Sequence, residues 1–321
     1  MTLPAQQLQA ALQERLGAVL FGMETVIHGL TIALIAKGHV LLQGVPGIGK
    51  TLLAKTLAAQ LDGRFSRIQC TADLMPSDMT GVNVFNPEQR RFEMLHGPLF
   101  ADVVLVDEIN RTGPKTQSAL LQAMEEARIT IDRQTYTLPE NFFVIATQNP
   151  HDFEGTYPLP ESQIDRFLLR LELSYPAGQD EQRVLRAYDR PDAGHQTGAV
   201  PEPLPAATLA AARQHAAALH VADSLYDYVC AIAQASRAHG LISLGLSTRG
   251  ALGLMRCARA EAAMRGGEFV TPDDVKAVAP AVLAHRLVLT PEAQLEGMDA
   301  ATLTATLLNQ VVVPRGADAA A

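Results

Sequence analysis

The 321-residue chain contains no tryptophan, and aromatic residues make up only 5 % of it. With so few rings, its core has to be filled by Leu, Val, Ile and Ala, which a 48 % hydrophobic share permits. Cysteine is scarce too. Cys70, Cys230 and Cys257 are far apart and form no C-x-x-C pair, which excludes a disulfide scaffold and suits reduced, mostly buried thiols. The nine histidines are scattered, with no H-E-x-x-H, so surface or capped histidines are expected and a metal site built from side chains alone is not. No apolar run approaches a membrane span; the stretch 30–36 stops at Lys37. Residues 1–13 are rich in Gln and lack the basic segment of a secretory signal. The expectation is a soluble, cytoplasmic protein with no membrane insertion. Positive charge is in deficit as well: 26 Lys and Arg against 34 Asp and Glu give a net charge of −8. That balance argues against a protein that coats nucleic acid. No N-K-x-D guanine motif occurs.

Glycine, by contrast, is concentrated where it carries information. Gly44-Val45-Pro46-Gly47-Ile48-Gly49-Lys50-Thr51 matches G-x-x-x-x-G-K-[ST] in full. The apolar run Val40-Leu41-Leu42 before it reads as a buried strand, and Leu52 opens a helical stretch over 52–61. Strand, glycine-rich turn and helix form a phosphate cradle: backbone N–H groups converge on phosphate oxygens, and the helix N-terminus adds partial positive charge. Lys50 is placed to reach the β- and γ-phosphates, and Thr51 to put its hydroxyl on Mg²⁺.

Further along, Val103-Val104-Leu105-Val106 ends in Asp107 and Glu108, a buried parallel strand delivering two carboxylates to its C-terminal edge. Asp107 suits Mg²⁺, and Glu108 can polarise the water that attacks a γ-phosphate. Residues 142–147 read as another buried strand, after which Asn149 can orient that water without adding negative charge. Arg166 and Arg249 are candidate charge stabilisers. Helices are predicted over 6–19, 24–37, 114–126, 206–218, 222–238 and 249–265 and from Pro272 onward. The last opens on Thr271 as cap, Pro272, and the acids Asp273 and Asp274. A strand is predicted over 65–70, and hairpins over 81–94 and 129–137. The Pro-, Gly- and Ala-rich stretch 190–205 reads as a connection. The chain thus reads as an α/β nucleotide domain over 1–176 and a small all-α lid domain over 177–321.

The order of these motifs resembles the AAA+ ATPases, and the sequence between them is similar to the MoxR family over roughly residues 15–312. The pieces that carry the resemblance include Asp73-Leu74-Met75-Pro76-Ser77-Asp78-Met79-Thr80-Gly81, Gly97-Pro98-Leu99-Phe100, and Asp107-Glu108-Ile109-Asn110-Arg111. They continue with Ala146-Thr147-Gln148-Asn149-Pro150, Glu154-Gly155-Thr156-Tyr157-Pro158-Leu159-Pro160 and Leu283-Ala284-His285-Arg286. The resemblance implies a P-loop parallel sheet followed by a helical lid. It implies Lys50 and Thr51 as Walker A, Asp107 and Glu108 as Walker B, Asn149 as sensor 1, Arg166 as the arginine finger and Arg249 as sensor 2. It makes 82–94 a helix-2 insert and 129–137 a pre-sensor-1 hairpin, and starts the adenine pocket at Phe21 and Gly22. Two departures stand out: Thr248 where the family usually has Pro, and Gly113-Pro114 where it usually has two prolines.

The resemblance further implies ATP and Mg²⁺ as cofactors and a homo-oligomeric, hexameric ring. It implies an ATP-driven remodelling or assembly chaperone that works with partners carrying a von Willebrand factor A domain, often to insert a cofactor or metal or to mature a complex. Three other readings compete: a magnesium-chelatase-like motor subunit, a DNA motor of the MCM branch, and a nucleotide-gated scaffold. The 154–160 segment favours MoxR over the first. The acidic balance opposes the second, and the complete set of Walker B and sensor residues opposes the third.

Overall fold

The computed structural model describes residues 3–45, 47–149, 156–189 and 202–314. Pro46, Pro150, Glu154, Gly155 and most of the 190–205 connection lie outside the described residues.

Two helices come first, α1 (Pro4–Gly17) and α2 (Glu24–Ile35). Leu8, Leu12 and Leu16 recur every four residues in α1 and are all buried, one apolar stripe on an otherwise polar helix. In α2 burial runs almost all round, because the helix lies between α1, the sheet and later helices. β1 (Val40–Gly44) feeds α3 (Lys50–Gln60). β2 (Phe65–Gln69) is followed by the short α4 (Pro76–Thr80) and a hairpin of β3 (Gly81–Asn86) and β4 (Arg91–His96). β5 (Val103–Asp107) leads into α5 (Pro114–Glu126) and a second hairpin, β6 (Arg128–Ile131) with β7 (Gln134–Thr137). β8 (Phe143–Gln148), the short α6 (Glu161–Ile164) and β9 (Leu169–Leu173) follow.

Five strands form one sheet in the order β2-β5-β8-β1-β9, every pairing parallel. They therefore all end at the same edge, where open α/β sheets bind ligands. β9 is not among the expected strands, although its buried Leu169, Leu171 and Leu173 alternate with Arg170 and Glu172. Alternation sorts the sheet's side chains onto two cores. Val40, Leu42, Val103, Leu105, Phe143 and Ile145 join α1, α2 and α3 on one face. Leu41, Val104, Val106, Val144 and Ala146 pack with α5 and Phe167 on the other. Both hairpins form as the sequence predicts. Asp132, at φ +54°, supplies the left-handed step of the second turn, a conformation Asp tolerates better than most residues. Asn83 of the first hairpin donates to Asp132 of the second at 2.7 Å.

After β9 come α7 (Gly178–Tyr188), α8 (Ala206–Ala218), α9 (Asp223–Ala238), α10 (Thr248–Arg265), α11 (Pro272–Leu283), α12 (Pro291–Leu295) and α13 (Ala300–Gln310). A two-stranded antiparallel ribbon, β10 (Ile242–Leu244) with β11 (Val288–Leu289), lies among them. α11 starts as predicted: the Thr271 hydroxyl accepts from the Asp274 N–H, and the Asp274 carboxylate accepts from the Thr271 N–H. The helical half is sewn to the sheet half. α1 packs along α8 and α10, and Arg213 of α8 donates to the Leu34 carbonyl and the Asn141 amide oxygen. Among the described residues no helix is long and apolar enough to cross a membrane.

Candidate functional site

At the sheet's carboxyl edge, β1 runs directly into the glycine loop. Gly47 and Gly49 adopt φ of +82° and +88°, a region that a side chain would strain. Val45 and Ile48 turn inward and anchor the loop in the core. α3 begins at Lys50, so its unpaired N–H groups face the loop. A cleft of about 360 Å³ opens here, lined by Gly47, Gly49, Lys50, Thr51, Leu52, Arg67, Gln69, Asp107, Glu108 and Thr147. The Lys50 ammonium folds back to donate to the Gly44 carbonyl at 2.8 Å. Burial lowers its pKa from the ordinary value, while the nearby Asp107 and Glu108 act in the opposite direction.

The two acids are braced differently. Asp107 is 7 % exposed. Its Oδ1 accepts from the Thr147 hydroxyl at 3.0 Å, and its Oδ2 accepts from Arg67 Nε at 2.8 Å. A carboxylate offers about four lone-pair sites, so these two partners leave room for a cation. Glu108 sits at φ +57°, ψ +52°, an unusual left-handed backbone for a non-glycine residue that costs of order 1 kcal/mol or more. Its N–H donates to Thr147 Oγ1 at 2.9 Å, which turns the side chain out of the strand toward the cleft. There Glu108 Oε2 accepts from Gln69 at 3.1 Å and from Arg111 at 3.0 Å. Beside the acids, Cys70 is buried and its thiol is pushed up to about 12, first by desolvation and then by the two carboxylates. It is not a reactive group.

Asn149 follows β8 immediately and is half-buried at the same edge. Phe21 and Gly22 do not line the cleft. The next residue, Met23, reaches the glycine loop: its Cε is 3.5 Å from where a Cβ on Gly49 would stand. α7 covers Phe21 and Gly22, with the Arg183 guanidinium 4.3 Å over the Phe21 ring and Asp180 against Gly22.

Arg166 and Arg249 are elsewhere. The Leu168 N–H donates to the His39 carbonyl, just before β1, so Arg166 lies at the amino edge of the sheet. The five residues of β1 separate that edge from the glycine loop, roughly 16 Å at about 3.3 Å per residue. Arg249 is at the same edge, because both arginines pair with Glu125 near the end of α5: Arg166 Nη1 at 3.3 Å, and Arg249 Nη2 on the other carboxylate oxygen. Asp165 fixes the backbone between them. It accepts from Ser247, the cap of α10, and from the buried Arg286. The structure thus gathers Lys50, Thr51, Asp107, Glu108 and Asn149 at one edge, and Arg166 with Arg249 at the other.

Two histidines are buried and hydrogen-bonded rather than at the surface, the second of the two expected placements. His39 accepts from the Val144 N–H on Nδ1 and donates from Nε2 to the Met124 carbonyl, and its pKa falls to about 4 because burial disfavours the imidazolium. His285 is enclosed likewise and meets the Phe167 carbonyl at 3.0 Å. Among the described residues no group of three or more His, Cys, Asp or Glu could hold a metal ion. Arg67, Thr147 and Glu125 are the residues that motif reading does not supply. Strand register would have pointed to two of them, since Gln69 stands opposite Asp107 and Val106 opposite Ala146. Nothing in the local sequence singles out Glu125.

Residues 39–169 match the "ATPase family associated with various cellular activities (AAA)", and residues 234–307 match its "AAA lid domain". The chain is 36 % identical to Chaperone MoxR1 of Mycobacterium tuberculosis, over 92 % of this chain and 80 % of that one. It is 31 % identical to Protein MoxR of Methylorubrum extorquens, over 88 % of each. A crystal structure from Cytophaga hutchinsonii, solved as a candidate ATPase, superposes with a TM-score of 0.89 at 36 % identity, covering 97 % of this chain and 96 % of that one.

Proposed function

Because the chain belongs to the MoxR family of AAA+ ATPases, we propose that it hydrolyses ATP at a site shared between two copies and spends the energy remodelling or assembling partner proteins. One observation supports the sharing above all others: the phosphate cradle and the two candidate arginines lie at opposite edges of one sheet. An arginine at the amino edge is out of reach of its own chain's γ-phosphate. It is well placed to face the carboxyl edge of a neighbour.

On this reading the glycine loop and Lys50 hold the phosphates, and Lys50 exchanges the Gly44 carbonyl for a phosphate oxygen. Glu108 polarises the attacking water, and Asn149 orients it. Arg67 and Thr147 hold the Asp107 carboxylate in place. Mg²⁺ would be held by Thr51 and Asp107 and would neutralise charge on the phosphates. Phe21 and Gly22 flank the base. Arg166, with Arg249 beside it, completes the neighbour's site, a contribution worth roughly 10³–10⁵ in rate for fingers supplied in trans. The assembly is a cytoplasmic homomeric ring, a hexamer by family resemblance. The same resemblance suggests a protein carrying a von Willebrand factor A domain as a partner.

Subunit mixing tests this. Arg166→Ala and Lys50→Ala proteins are each inactive, and mixtures of exchanging subunits regain part of the activity, because some interfaces pair an intact Lys50 with an intact Arg166. Mixtures that stay dead despite verified exchange, or a dilute monomer hydrolysing ATP at full rate, would overturn the shared site.

A further inference from the structure

Two guanidinium groups stand side by side at the amino edge, and one carboxylate holds both. Glu125 Oε2 takes Arg166 Nη1 at 3.3 Å, and Oε1 takes Arg249 Nη2. Local helix preference does not explain this glutamate. It lies in the last turn of α5, next to Glu126 and with no basic residue in that turn, where the negative end of the helix dipole disfavours acids. Its backbone is nevertheless fixed from two sides. The Met124 carbonyl is bonded to His39, and Ala127 closes the helix at φ +50°, its N–H on the Ala123 carbonyl.

The arginines are tied at their roots as well. Asp165 precedes Arg166 and binds Ser247, which caps the helix carrying Arg249 in its first turn. Each arginine has five N–H donors, and the Glu125 contact engages only part of that set. A groove of about 420 Å³ opens beside them, lined also by Lys37 and Arg256. Positive charge is in excess there, so an approaching polyphosphate finds donors already gathered.

We propose that Glu125 is the positioning residue of the shared site: by taking one donor from each arginine it offsets their mutual repulsion and sets them side by side for the neighbour's phosphates. The proposal rests on the reading that Arg166 and Arg249 serve a neighbouring copy. Without the carboxylate, two like charges on long side chains separate into solvent, and the pair no longer arrives as a unit.

The test uses the full chain at concentrations where assembly is verified by light scattering. Glu125→Gln keeps the shape and removes the charge. Its kcat falls roughly 10- to 100-fold, by analogy with outer partners that orient metal ligands. Its affinity for a fluorescent ATP analogue is unchanged, because Lys50 is at the opposite edge. Glu125→Asp, a charge on a shorter arm, recovers part of the loss. Mixed with Lys50→Ala subunits, Glu125→Gln regains activity; mixed with Arg166→Ala subunits it does not, since both then fail on the same side of the interface. Full kcat in assembled Glu125→Gln, or rescue by Arg166→Ala, would overturn the proposal while leaving the shared site intact. Failure of the Arg166→Ala with Lys50→Ala control sinks the shared site itself.

Discussion

Arg286 donates from Nε to the Asp165 carboxylate at 2.7 Å, with its side chain only 3 % exposed. It also donates to the Phe167 and Leu168 carbonyls, so one buried guanidinium holds the whole turn that carries Arg166. Burial is the main cause that lowers its pKa, the nearby Arg249 charge acts in the same direction, and Asp165 opposes both. Arg286→Met fills a similar volume but takes the cation from Asp165, which keeps Ser247, and removes a donor from each of these carbonyls. Breaking one partner of a buried pair costs about 3–5 kcal/mol. The expected outcome is a loss of that size in urea unfolding, with little change in m-value. A loss below about 1 kcal/mol, as for an exposed pair, would show that the turn is held by other contacts.

Glu108→Gln separates binding from chemistry. The amide is nearly isosteric and can still face Gln69 and Arg111, while Asp107 keeps its own partners. Affinity for ATP is expected to persist and turnover to fall below about a tenth of wild type, because the water loses its polariser. Paired binding and phosphate-release measurements check this, with Lys50→Ala as the contrasting variant in which binding itself is lost.

His39 predicts a pH dependence of stability. Its pKa is lowered from 6.5 to about 4 in the folded chain, where Nδ1 must stay unprotonated to accept from Val144. Between those values the unfolded chain binds a proton that the folded chain refuses, so acidification favours unfolding. His39 therefore contributes fully above about pH 6.5 and loses its contribution as pH falls to about 4. In His39→Gln that proton is gone. Wild type should melt higher at pH 7, and the gap in Tm should narrow toward pH 4. A gap constant across the window would mean that His39 does not titrate there.

The carboxyl edge of the sheet was legible in the sequence because its chemistry is contiguous. The glycine loop, Lys50 and Thr51 are consecutive, and Asp107 and Glu108 terminate a single apolar run. At the amino edge only the two arginines were, not the glutamate that joins them. Glu125 and Arg249 meet across a separation of 124 residues, and neither carries a periodic or turn signal that foretells the other. Arg67 and Thr147 belong to an intermediate case. Each lies in a strand that the sequence predicts, but its role depends on which strands are neighbours and in what register. His39 and His285 stay open between two placements in the sequence for another reason. A lone histidine looks the same in sequence whether it is solvated or enclosed, and only the Met124 and Phe167 carbonyls opposite them reveal which.

The separation of Lys50 from Arg166 by the length of β1 gives each copy two unlike halves, a cradle on one side and a pair of cations on the other. On the shared-site reading such halves can only be joined head to tail, a heterologous contact. An open row of copies leaves one idle cradle at one end and one idle cation pair at the other. Each copy added to the row completes one further interface, but the copy that closes it completes two. Turnover per subunit should therefore rise in a step at closure rather than in proportion to the number of copies assembled.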